Sequence, residues 1–349
     1  MDQVPQLPVT NSLGFYEIRF ESIGGLGAHL AGQMLAEAAV LRMGLNGAHF
    51  SSYGSEKKGS PVKSFVRVCA PTQQVRTNSP VERPHMLVVF HERLLRHKEV
   101  LSGLYPDSIV LVNTAHTLDE MKKRLGLASG TVAVVDALKI AVEEKTRVNT
   151  AMLGAIARLL PFLESQAMRD TIRATFEHRY PQLVEANLRT FDRGYNEVQK
   201  ETLHGTATAQ ATEFVRARPQ LGYVTAPVGG VIVNPGNNVL KDLSAYRSGF
   251  IPAFDRTKCI DCGQCDLVCP DFCFVWEKTL DKRQRPVMSL KGIDYQYCKG
   301  CLKCVEACPA DGALTSIREV EGYAEEHTVK HSWIPASRHS VSAVATRAS

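Results

Sequence analysis

The sequence predicts two domains: an α/β layer domain with a mostly parallel sheet, then a small cysteine-rich α+β domain. Three observations carry this. Strand and helix patterns alternate from about residue 14 to about residue 200, as in parallel layer structures. Eight of the ten cysteines fall in two short runs between residues 259 and 308. A Thr-, Ala- and Gln-rich stretch, Glu201 to Pro219, lies between the two regions and reads as a linker.

The first element is a strand over Tyr16 to Ser22, with apolar residues at alternate positions. Gly24, Gly25 and Gly27 then form a tight turn into a helix from about Ala28 to Arg42, closed by Gly44. Further strands are expected at Ser64 to Val68, Met86 to Phe90, Ile109 to Val112 and Thr131 to Val135. Helices are expected at Leu94 to Leu101, Leu118 to Arg124 and Thr150 to Leu160. Phe162 to Lys200 reads as helical, with a break at Pro181. Gly222 to Phe254 is rich in Gly and Pro and reads as an extended arm. Phe274 to Tyr297 reads as a hairpin carrying the charged insert Glu277 to Arg285. The expected domains are 1–205 (α/β), 206–254 (linker and arm), 255–318 (the cysteine-rich domain) and 319–349, a polar tail with His327, His331 and His339.

The cysteine runs are Cys259, Cys262, Cys265, Cys269 before Pro270, and Cys298, Cys301, Cys304, Cys308 before Pro309. Both read C-x2-C-x2-C-x3-C-P, the spacing of bacterial ferredoxins with two [4Fe-4S] clusters. A cubane cluster needs four soft thiolates, one per iron. Three cysteines at two-residue gaps can wrap one side of a cluster, and the fourth points to the other cluster. Cluster I is therefore assigned Cys259, Cys262, Cys265 and Cys308, and cluster II Cys298, Cys301, Cys304 and Cys269. A pair of zinc sites accounts for neither the third cysteine of each run, nor the proline, nor the duplication. Cys69 and Cys273 are left over and read as small buried hydrophobes.

Composition narrows the function further. Apolar residues make up 44% and charged residues 22%, ordinary for a globular protein. The net charge of +5 is small and dispersed, which argues against nucleic acid. No apolar run reaches membrane-span length, and the first residues lack the features of a signal peptide, so a cytoplasmic location is expected. The glycine turn fits a dinucleotide fingerprint poorly: Leu30 stands where the third glycine belongs, and no acid lies near Asn46 to His49 to hold a ribose. A second polar loop holds Lys57 and Lys58, suited to an anion, a solvated turn or a subunit contact.

The segments IRFESIGGLGAHLAGQMLAEAA, YGSEKKGSPVKSFVRV, RVNTAMLGAIARLLP and PQLVEANLRTFDRGY resemble the gamma subunit of the 2-oxoacid:ferredoxin oxidoreductases. The region from PGNNVLKDLSAYRSGFIPAFDRTKCIDCGQC to CVEACPADGAL is similar to their delta subunit. The chain thus resembles a gamma–delta fusion over about residues 14 to 318. The resemblance implies a complex that decarboxylates a 2-oxoacid, with pyruvate the default, and passes electrons singly to ferredoxin. It implies alpha and beta partner subunits carrying thiamine diphosphate, Mg and a further [4Fe-4S] cluster, since no GDG-type thiamine diphosphate motif is present here. It also implies coenzyme A as a ligand, with Gly24, Gly25, Gly27, Lys57 and Lys58 as candidates for its phosphates or for a subunit contact. Lys58 replaces the family's usual arginine and loses its bidentate fork. The competing expectation is a self-contained two-cluster electron carrier with a docking domain.

Overall fold

The computed structural model describes residues 5–53, 61–205, 229, 241–247 and 249–332. The chain divides into two compact units, 1–215 and 216–349.

The first unit is built on a seven-stranded sheet in the order β2-β3-β1-β4-β5-β6-β7. Strand β1 (Tyr16–Ile23) runs parallel to β4 (Met86–Val89), β4 to β5 (Ile109–Asn113), and β5 to β6 (Ser129–Val135). This four-stranded parallel core is flanked by antiparallel strands. Those are β3 (Pro61–Cys69) beside β1, β2 (Asn46–Tyr53) beside β3, and β7 (Gln199–His204) beside β6. All four residues of β4, MLVV, are buried, as expected for a strand covered on both faces.

Six helices accompany the sheet: α1 (Ala28–Glu37), α2 (Leu118–Leu125), α3 (Ala137–Glu143), α4 (Val148–Leu159), α5 (Ser165–Glu177) and α6 (Val184–Glu197). Helix α2 starts on a capping box between Thr117 and Glu120 and stops at Gly126 in the left-handed region. Ile18 and Phe20 of β1 join Met34, Leu35, Met152 and Ile156 in the main core. The other face of β1 carries Glu17, Arg19 and Glu21, all buried. Each is paired: Arg67 Nε lies 2.6 Å from Glu17 Oε1, and Arg19 Nε lies 3.1 Å from Glu21 Oε1. Arg19 also donates to the carbonyls of Glu82, Val100 and Ser102. Buried charge is tolerated only when satisfied in this way.

Several elements differ from expectation. The helix expected over Leu94 to Leu101 is two short 3-10 turns, Glu92–Arg96 and Lys98–Leu101, separated by extended His97. Carbonyls at its end are turned toward Arg19 instead of into a continuing helix. Helix α1 gives way to a π-type turn over Ala38–Arg42, closed by Met43 N–H to Ala38 O at 3.2 Å. The hairpin strand β2 was not expected. The last helix ends at Glu197, short of Lys200, and β7 occupies the start of the expected linker. As a short, polar edge strand, β7 shows no apolar alternation.

The second unit holds two small sheets. In one, β8 (Phe250–Phe254) pairs antiparallel with β11 (Leu314–Arg318). In the other, β9 (Phe274–Leu280) and β10 (Pro286–Ile293) form the hairpin expected around the charged insert. Two five-residue helices, α7 (Gln264–Val268) and α8 (Lys303–Ala307), and α9 (Tyr323–His327) complete it. The cysteine-rich fold therefore reaches beyond 255–318 on both sides. The end of the expected arm supplies β8, and Arg247, 1% exposed, is ion-paired with Glu319 at 2.7 Å. The start of the expected solvated tail packs onto the unit: Thr328 bridges Ile293, and His331 Nε2 lies 3.0 Å from Phe272 O. The rest of the linker, arm and tail, with His339, lies outside the described residues. Among the described residues, no helix is long and apolar enough to cross a membrane.

Two pairs of glycines test these close approaches. Helices α4 and α6 cross through Gly154 and Gly194: a Cβ at either would sit 2.0 Å from a carbonyl oxygen of the other helix. Alanine normally favours a helix by about 1 kcal/mol over glycine. Here Gly154→Ala or Gly194→Ala should instead destabilise by roughly 1–3 kcal/mol through overpacking, read by chemical unfolding. In the second unit, Gly263 and Gly300 both have positive φ, 75° and 69°. A Cβ at Gly263 meets open space, whereas one at Gly300 would lie 2.3 Å from Phe250 O. Gly263→Ala should cost roughly 1–2 kcal/mol in backbone strain and Gly300→Ala more, seen as a larger fall in anaerobic melting temperature.

Candidate metal centres

Each cysteine run folds as a loop, a single helical turn and an exit strand, and the two copies match in backbone detail. Two residues after the first cysteine, Asp261 and Gly300 have φ of 56° and 69°. Each sends its N–H to that cysteine's sulfur at 3.4 Å. Two residues further, Gly263 and Leu302 sit in the left-handed region and start α7 and α8. Each helix ends at the fourth cysteine, Cys269 or Cys308, in extended backbone. A left-handed Asp or Leu is costly, so these loops are held open against local preference.

Two cavities result. The first is lined by Cys259, Cys262, Cys265 and Cys308, with Phe254, Trp276, Leu290 and Leu314 among its apolar walls. The second is lined by Cys298, Cys301, Cys304 and Cys269, with Phe274 and Ile293. The structure thus brings three cysteines of each run together with the fourth of the other. No disulfide joins any cysteine. Among the described residues, no three His, Cys, Asp or Glu side chains converge on one point as a mononuclear metal site requires. Four thiols around a cavity with apolar walls, each free to take a separate metal atom, fit a cubane iron–sulfur cluster.

The cavities differ in polarity. Burial raises the thiol pKa of Cys265 in the first, to about 12, and of its counterpart Cys304 in the second. Cys269, in the second, is pulled down to about 6, chiefly by a hydrogen bond from the Cys273 thiol, against burial. The same thiol hydrogen can turn instead to the Cys298 sulfur. It lines the second cavity and is 5% exposed, so the residue read as a small hydrophobe also has a polar role there. Lys299 and Lys303 line the same cavity. Lys299 is buried and lies 3.1 Å from Asp271, which also pairs with Lys241 at 2.9 Å. Burial lowers the Lys299 pKa, and the Cys301 sulfur opposes this. The sequence reading missed Lys299, Asp271 and Arg247. Aligning the two runs position by position exposes Lys299, because Ile260 holds its place in the first run.

The other candidates are less assembled. Gly25 and Gly27 have positive φ, and Gly27 caps α1 against Asn149. Gly24 completes that turn, while Lys57 and Lys58 lie outside the described residues. Cys69 ends β3, fully buried, and its thiol donates to Gln73 O.

A family model described as pyruvate ferredoxin/flavodoxin oxidoreductase matches residues 17–197, and one described as a 4Fe-4S dicluster domain matches residues 258–312. The chain is 39% identical over 188 residues to pyruvate synthase subunit PorC of Thermotoga maritima, covering 53% of this chain and 95% of that one. It is 33% identical over 185 residues to the common gamma subunit of the pyruvate/ketoisovalerate oxidoreductases of Pyrococcus furiosus, covering 52% of this chain and 97% of that one. A crystal structure of pyruvate oxidoreductase subunit PORC from Thermotoga maritima aligns with 54% of this chain and 98% of its own, at 35% identity and a TM-score of 0.47. Since the first family model spans slightly more than half of its residues, the chain belongs to the pyruvate ferredoxin/flavodoxin oxidoreductase family.

Proposed function

We propose that this chain is the electron-transfer and scaffold subunit of a thiamine diphosphate-dependent 2-oxoacid:ferredoxin oxidoreductase complex. The observation that carries the reading is the union, in one chain, of this family's domain with two four-cysteine cavities. The names of the relatives, subunits of pyruvate and ketoisovalerate oxidoreductases, support pyruvate as the first substrate to test. Cys259, Cys262, Cys265 and Cys308 would hold one [4Fe-4S] cluster, and Cys298, Cys301, Cys304 and Cys269 the other. Such clusters, when bound, supply one-electron redox centres reaching strongly reducing potentials.

The chain's own residues do the rest. The cavity walls bury Cys265, Cys298 and Cys304 while Cys262 and Cys301 stay exposed, and Asp261 and Gly300 aim N–H groups at the first sulfur of each run. Alpha and beta subunits would bring thiamine diphosphate, Mg and a further cluster, and ferredoxin would take the electrons, in the cytoplasm. The Gly24, Gly25 and Gly27 turn with Lys57 and Lys58 is proposed to meet the phosphates of coenzyme A or a partner subunit.

Purification of the chain from its native host should bring down thiamine diphosphate-binding partners and pyruvate-dependent reduction of an electron acceptor. Elution of the chain alone at native abundance would contradict the reading in favour of a self-contained carrier. The ligand sets have their own test. The full chain should hold about eight irons, and Cys308→Ala should damage the centre of the first cavity although Cys308 belongs to the second run. Iron counting with low-temperature spectroscopy would decide, and loss confined to the second cavity would exclude the crossed sets.

A further inference from the structure

The two halves of the second unit share a backbone but not a charge pattern. Where the first run has Ile260, the second has Lys299, buried and lining the cavity. Where the first has Asp261, the second has Gly300. Asp261 Oδ1 lies 3.8 Å from Cys259 Sγ and is held there by Arg256 and by the N–H of Leu290 at 2.8 Å. Where the first has Gln264, the second has Lys303, again on the cavity wall. The helices α7 and α8 carry one acid each, Asp266 and Glu306, which cancel in the comparison.

Close to the second cavity, Asp271 faces two lysines, Lys299 and Lys241, and Lys303 adds a third. Arg247, paired with Glu319, donates to the carbonyl of Cys298 at 3.0 Å. Close to the first cavity, the Arg256 guanidinium is bound to Asp261 through two contacts of 2.8 and 2.6 Å, and Lys258, next to Cys259, pairs with Asp255 at 3.7 Å. Hydrogen bonding repeats the asymmetry. Each half sends one matching N–H to its first cysteine, but the second cavity adds on its wall the buried Cys273 thiol, whose single hydrogen can meet the sulfur of Cys269 or that of Cys298. At the position matching Cys273, four residues after the run's last cysteine, the other run has Gly312, which carries no donor side chain.

A cluster gains a negative charge when reduced. Nearby cations lower the cost of that charge, and hydrogen bonds to the ligating sulfurs do the same. A carboxylate beside a sulfur raises it. Resting on the two-cluster reading above, we propose that the two centres are unequal. Lys299, Lys303 and Cys273 give the second cavity the higher reduction potential, and Asp261 gives the first the lower. With clusters bound, a single electron delivered by 2-oxoacid oxidation would settle on the second centre and leave the first oxidised. The second cavity is then the side from which the acceptor draws its electron.

The test is a redox titration of the full chain under anaerobic conditions, followed by low-temperature electron paramagnetic resonance. Two steps are expected, apart by at least a tenfold ratio, which is about 59 mV for a one-electron couple. Cys273→Ala should lower the upper step only, and Cys273→Ser, which keeps a donor, should restore it. Asp261→Asn should raise the lower step only. Lys299→Met should lower the upper step, and if that buried change prevents folding, Lys303→Gln at an exposed position makes the same measurement. Coincident steps in the wild-type chain, or an upper step moved by Asp261→Asn, would overturn the proposal. A chain holding only one cluster's worth of iron would instead remove the two-cluster reading and this inference with it.

Discussion

The second unit has to bring eight cysteine sulfurs to the walls of two small cavities, and most of its architecture answers to that demand. The loops pass through the left-handed region at Asp261, Gly263, Gly300 and Leu302, a conformation that costs free energy at two of the four. The helices α7 and α8 are single turns that end where the chain must swing a fourth cysteine across to the neighbouring cavity. The cysteines themselves form part of the apolar core, with Cys265, Cys273, Cys298 and Cys304 packed among Ile251, Phe274, Leu290 and Tyr295. On the proposed function, part of that core is also the ligand set, and the stability of the unit would then be coupled to metal binding.

The first unit answers to a different constraint. Its parallel strands are covered on both faces, so β1 buries Glu17, Arg19 and Glu21 on the side away from the main helical core. The partners come from β3, through Arg67, and from the carbonyls around Val100 and Ser102. Removing one partner would leave a buried charge unmet, a far larger penalty than the pair itself returns. The close crossing of α4 on α6 through Gly154 and Gly194 completes the same core from the helical side.

The cysteine runs were legible because a cluster dictates ligand type and spacing together, leaving little for tertiary context to change. The parallel strands were legible for a similar reason, as short apolar runs such as MLVV have few other uses. Strand β7, QKETLH, was not, because an exposed edge carries no apolar signal. The 3-10 turns after His91 were not, because a buried arginine contributed by β1 claims their carbonyls, and no local pattern announces it. The joining of β8 to β11, and of Arg247 to Glu319, is invisible along the chain, since the partners lie some sixty to seventy residues apart. The polarity difference between the cavities was present in the sequence as Ile260 against Lys299 and Asp261 against Gly300. It became meaningful only once those side chains stood beside particular sulfurs.

In the proposed complex, the chain is a conductor fixed to a scaffold, with the carbon chemistry done by its partners. The most direct test adds pyruvate to the oxidised, co-purified complex and follows carbon dioxide release, cluster reduction and ferredoxin reduction together. With pyruvate in excess, both clusters of this chain should become reduced. A complex carrying Cys269→Ala and Cys308→Ala should still release carbon dioxide with an artificial acceptor but no longer reduce ferredoxin. Clusters that stay oxidised while ferredoxin is reduced, or undiminished ferredoxin reduction in that variant, would contradict it.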